Sequence, residues 1–122
     1  MNEYAILSIH GVLILFGVLL MTPMGSSIAA MFHSRYPSTT TRRGQILAGM
    51  MFVCLGGFTV SAQTLWMHNK LSEGASVCSG DTILNCDGLI GNAAYNTDPL
   101  LDQPWGLIGM VAFTLLMWFV IT

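Results

Sequence analysis

The chain has 122 residues, of which 53% are apolar and only 8% are charged, where about 25% charged residues is usual for a soluble domain. That composition excludes an ordinary water-soluble globule. A net charge of −2 without a basic run leaves no electrostatic footprint for nucleic acid. The charges also leave three uncharged stretches, residues 4–34, 44–69 and 103–122, each able to cross a hydrocarbon core of about 30 Å at about 1.5 Å per residue. Backbone groups in lipid are satisfied inside helices, and the chain is too short for an eight-stranded barrel. The expectation is therefore an all-α integral membrane protein, a single membrane domain with three transmembrane helices over about 4–32, 44–68 and 104–122, and an outer loop over 69–103.

The first stretch lacks the basic n-region of a secretory signal, its only early charge being Glu3, and it far exceeds an h-region of about 7–15 residues. It reads as a retained anchor. His10 lies about six residues inside this apolar stretch, where a polar group is costly enough to need a partner. Gln63, a carbonyl of a neighbouring subunit or a cofactor would serve. Further on, Pro23 removes a helical hydrogen bond and is predicted to kink or end the helix, leaving residues 24–33 to run along the inner surface. His33 beside Arg35 reads as a polar inner end.

The second stretch carries small residues at Gly44, Ala48, Gly49, Gly57 and Ser61, spaced so that another helix can approach closely. Cys54, alone near its middle, reads as a small hydrophobe. The third opens with Pro104, Trp105 and Gly106, and proline suits a first helical turn.

Charge asymmetry sets the orientation. All three arginines, Arg35, Arg42 and Arg43, fall between the first and second stretches, which the positive-inside tendency places in the cytoplasm. The next connection holds Glu73, Asp81, Asp87, Asp98 and Asp102 against the single Lys70. The N-terminus and this loop then lie outside (periplasmic, extracytoplasmic or lumenal) and the C-terminus inside. Tyr4, Trp66 and Trp105 fall at the outer boundary, and Phe32, Tyr36 and Trp118 toward the inner one.

The outer connection is about 34 residues long and rich in turn-forming Asn, Asp, Gly and Ser, so something must order it. Cys78 and Cys86 stand within it, on the side where disulfides persist. A closed ring of about nine residues would remove roughly 2 to 3 kcal/mol of chain entropy. The same pair could instead exchange electrons with another thiol, given an accessible sulfur. Asp87-Gly88 reads as a tight turn after Cys86, and the acidic loop residues as solvated turns, their spacing not being that of a calcium-binding loop.

The run from Val77 and Cys78 through Asn85, Cys86, Asp87 and Gly88, with Tyr95 and then Pro104-Trp105-Gly106-Leu107-Ile108-Gly109-Met110, resembles the first half of the vitamin K epoxide reductase family over about residues 50–120. The resemblance implies that the second and third stretches correspond to the family's first two helices. It also implies that Cys78 and Cys86 match the loop pair that relays electrons between a partner thiol protein and a membrane Cys-x-x-Cys beside a quinone. These residues hold no Cys-x-x-Cys, and the family's hydroxyl residue six positions past the second cysteine is Asn92. A fainter likeness runs through Ile9-His10-Gly11-Val12-Leu13, Gly17 and Pro23-Met24-Gly25, which look like the opening helix of cytochrome b561-type domains. There, such a histidine binds haem. Ligation needs a second axial ligand, and the second stretch offers Gln45, Met50, Met51 and Gln63 without the helical histidine the resemblance requires, His68 lying at its outer end.

The scattered methionines read as packing rather than a copper site. No nucleophile elbow, phosphate-cradling loop or internal repeat is present, and no metal site is expected. Two functions follow. The first is a non-catalytic accessory subunit of a larger membrane complex, an oxidoreductase, packed through its helices against other membrane subunits and lipid, its outer face capped by a loop pinned through Cys78 and Cys86. Any haem or quinone would then belong to a partner, with His10, Gln63 and His68 as contacts. The alternative is a thiol-disulfide relay through Cys78 and Cys86, with a partner supplying the missing pair and the quinone.

Overall fold

A computed structural model describes residues 3–77 and 86–122. Among them every regular element is helical, and the only β pairing is an isolated antiparallel bridge between Thr97 and Pro104. Helix α1 spans Glu3–Met21, α2 Gly25–Ala30, α3 Arg42–Ser72, α4 Cys86–Ile90, α5 Ala93–Asn96 and α6 Trp105–Ile121, with one turn of 3₁₀ helix over Pro37–Thr40. Among the described residues only α3, with 31 residues, is both long and apolar enough to cross a membrane by length and composition, and Ser8–Met21 within α1 and Trp105–Ile121, which is α6, are shorter apolar stretches.

The described residues divide into two compact units, Met1–Gly57 with Phe113–Thr122 and Phe58–Ala112. In the first, α1 ends where Pro23 cannot continue it: Thr22 N donates to Leu19 O at 3.2 Å and Gly25 N to Thr22 O at 3.0 Å, and α2 starts at Gly25. The break expected at Pro23 is thus present, with α1 and α2 separated at residues 22–24. Thr41 caps α3, its Oγ1 accepting from Gly44 N at 3.1 Å. Helices α1 and α3 meet backbone to backbone, because a Cβ on Gly17 would lie 2.6 Å from Gly49 O, and one on Gly49 would lie 2.6 Å from Gly17 O. Beside this crossing Phe16 and Phe52 stack edge to face with centroids 5.0 Å apart, and Gly57 admits the ring of Phe113 from α6. Gly49 and Gly57 so serve as close-approach positions, while Gly44 lies against the backbone of Ser38 in its own connection.

In the second unit α3 continues to Ser72, past the boundary expected at residue 68. It stops in a Schellman arrangement: Gly74 has φ 82°, Ala75 N donates to Lys70 O at 3.1 Å and Gly74 N to Leu71 O at 3.0 Å. The start of α6 lies against α3, a Cβ on Gly106 falling 2.8 Å from Ser61 O.

Neither unit hides much. Leu20, Ala29 and Cys54 are the buried apolar side chains among the described residues, while α1 exposes Ile9, Val12, Leu15 and Val18, and α6 exposes Val111, Leu115, Leu116, Trp118, Phe119 and Ile121.

Candidate functional site

The chain between α3 and α6 is where side-chain chemistry concentrates. After the Gly74 turn, Ser76 Oγ donates to Asp87 Oδ2 at 2.6 Å and Val77 N to Asp87 Oδ1 at 3.3 Å. Asp87 stands in the first turn of α4, where a carboxylate also suits the helix dipole. This corrects the reading of Asp87-Gly88 as a solvated tight turn. One carboxylate ties the residue before Cys78 to the residue after Cys86, so the two ends of the cysteine segment are held together. Cys78 and the Cys78–Cys86 pairing lie outside the described residues. The free cysteine among those described is Cys54, buried in α3.

A second tie anchors the loop to α3. Asn96, at the end of α5 and only 6% exposed, donates from Nδ2 to Ile90 O at 2.9 Å, and the same nitrogen lies 3.0 Å from His68 Nδ1. The carbonyl of Ile90 can only accept, so the Asn96 nitrogen is an amide donor and His68 Nδ1 accepts its other hydrogen. Neutral His68 then carries its proton on Nε2. In this arrangement the ring offers an N–H donor, suited to a carbonyl or phosphate oxygen, rather than the free lone pair that a metal requires.

Asn92 caps α5, its Oδ1 accepting from Ala94 N at 3.0 Å. A second carboxylate closes the approach to α6. Asp98 Oδ2 accepts from Leu100 N at 3.1 Å and Leu101 N at 2.7 Å, and Asp98 N donates to Gln103 O at 2.9 Å. Asp102 takes the left-handed conformation with φ 52°, which a short polar side chain tolerates. The acidic side chains at 87 and 98 are therefore acceptors for loop backbone.

His10 is half-buried in α1 within the first unit, whereas Gln63 and His68 belong to α3 in the second. Gln63 and His68 are five residues apart, about 140° around a helix, and so occupy different faces. Among the described residues no group of three or more His, Cys, Asp or Glu could hold a metal ion. Sequence reasoning missed Asn96 and the carboxylate role of Asp87. Asn96 gave no signal beyond turn propensity. Asp87 gave one, a carboxylate directly following a loop cysteine.

Compared with known proteins, the chain matches no family model, no curated protein and no solved structure.

Proposed function

We propose that this chain is an integral membrane accessory subunit that crosses the bilayer three times and packs against the other subunits of an oxidoreductase complex. On this reading α1, α3 and α6 face lipid or partner helices, and the loop between α3 and α6 caps the outer face, stapled by a Cys78–Cys86 disulfide. The arginine-bearing connection lies in the cytoplasm. The observation that carries the reading is the outward placement of apolar side chains along α1 and α6, from Val12 at 64% exposed to Phe119 at 71%, beside a nearly absent core. A water-soluble chain of this size would bury most of such side chains. Lipid and neighbouring helices are the solvent that such faces match.

The loop supports the accessory role. Asp87, Asn96 and Asp98 all secure backbone or α3, which suits a cap over the outer face. A staple at Cys78 and Cys86 would complete it, since the Asp87 tie already gathers the two flanks of the pair. Any haem or quinone resides in a partner subunit, within reach of His10, Gln63 or the Nε2–H of His68.

The thiol-relay reading draws on that same Asp87 tie and on the likeness of Cys78 and Cys86 to a vitamin K epoxide reductase loop pair. Differential thiol labelling of the gently solubilised native assembly across a glutathione series separates the two. A disulfide that stays closed below about −300 mV belongs to a structural staple. One that opens near −200 mV, or traps a mixed disulfide with a copurifying chain, belongs to a relay.

A further inference from the structure

The connection between α1 and α3 and the first turn of α3 together hold all three arginines, and no Asp or Glu stands between Glu3 and Glu73. Arg42 is occupied within the fold: its Nη1 donates to Thr22 O at 2.9 Å and its Nη2 to Met21 O, so the guanidinium caps the end of α1. Arg35 and Arg43 are exposed, and neither guanidinium has a hydrogen bond or ion pair among the described residues. Glu3, the only acidic residue of this unit, opens α1, about 28 Å along the helix from Met21. Neither cation therefore has an acidic side chain near it in sequence or an ion pair among the described residues.

They flank one local network. His33 Nδ1 lies 3.0 Å from Thr39 Oγ1, that hydroxyl donates to Tyr36 O at 2.8 Å, and Gln45 Nε2 donates to Thr39 O at 3.2 Å. Because the Thr39 hydroxyl proton is directed to Tyr36 O, its oxygen accepts from the His33 ring. Arg35 follows His33 by two residues and Arg43 precedes Gln45 by two, so the network fixes the backbone on which both cations stand. Along the same connection Met24, Met31, Phe32 and Tyr36 are exposed, Met31 at 78%.

Unpaired guanidiniums on the same connection as exposed apolar side chains complement an amphiphile with a phosphate head: the fork of Arg matches phosphate oxygens, and the apolar side chains match acyl chains. We propose that Arg35 and Arg43 bind the phosphodiester headgroup of an anionic phospholipid, with Met31, Phe32 and Tyr36 seated at the headgroup boundary. This rests on the membrane reading above. A free phosphate ion shares the headgroup's chemistry but has no use for the apolar side chains.

The test uses the full chain reconstituted into phosphatidylcholine vesicles containing phosphatidylglycerol, followed by flotation and by native mass spectrometry of retained lipid. Wild type should float and retain phosphatidylglycerol over phosphatidylcholine. The double variant Arg35→Gln/Arg43→Gln should lose about tenfold of that preference. Arg35→Lys/Arg43→Lys should keep most of it, and Lys70→Gln all of it. Helicity by circular dichroism verifies that each variant is folded. Equal retention of the two lipids by wild type, or an undiminished preference in the double Gln variant, overturns the proposal. So does inorganic phosphate that displaces phosphatidylglycerol and appears as the retained mass. A chain that fails to float overturns the membrane reading along with this one, whereas a chain that floats without lipid preference overturns only this one.

Discussion

The two units are held by opposite means. In the first, α1 and α3 touch through glycine backbones at Gly17 and Gly49, and a cluster of side-chain hydrogen bonds orders the arginine-bearing segment. In the second, the segments between α3 and α6 are tied by polar side chains that each make two hydrogen bonds, Asp87, Asn96 and Asp98. The difference follows from what each stretch can bury. An apolar helix pair has no polar handles and gains by close approach and dispersion. A Gly-, Asn- and Asp-rich loop has too little apolar surface to pack and is ordered by satisfying its backbone groups instead.

The contrast can be broken from either side, and the largest effect is expected in the first unit. Gly49→Leu would drive its side chain into Gly17 O and Met21, destabilising the helix pair by about 3 kcal/mol. Gly11→Ala, where nothing lies within 4 Å, should leave unfolding in micelles unchanged or slightly improved. In the second unit Asn96→Leu removes the donor to Ile90 O and His68 Nδ1, at a cost of about 2 kcal/mol. Hydrogen exchange should then rise across residues 86–104 and stay fixed in α1. If α1 loosens equally, the two units are not independently secured. Asp87→Ala should cost about 1 kcal/mol and, with Cys78 and Cys86 paired as proposed, slow reclosure of that disulfide after reduction, read by the time course of thiol blocking. An unaltered rate would mean that the tie does not gather the cysteine flanks. The smallest effect is assigned to Lys70→Ala. The Lys70–Glu73 pair at 2.7 Å is 43% and 63% exposed, so its loss should cost no more than about 0.5 kcal/mol.

Sequence and structure part company at identifiable residues. The helical stretches were legible because charge is absent from them, and the break after Met21 because Pro23 cannot donate. The end of α3 was misjudged by four residues although Gly74 marked it: hydropathy fades at Asn69 and Lys70, but a helix ends where its carbonyls are capped, and the Schellman turn does that at Gly74. In the loop, His68 stood out as a polar residue at a helix end, yet its partner Asn96 lies 28 residues away and carries no pattern of its own. Asp87 and Asp98 were read by their usual solvated role because composition cannot tell a carboxylate that faces water from one that accepts backbone N–H groups.

The central claim is that the outward apolar faces of α1 and α6 meet a bilayer. Its most direct test is alkaline carbonate extraction of membranes from cells producing the chain, followed by flotation through a density gradient. The account predicts that the chain stays with the floated lipid after extraction; release into the carbonate supernatant as a folded, helical protein would contradict it.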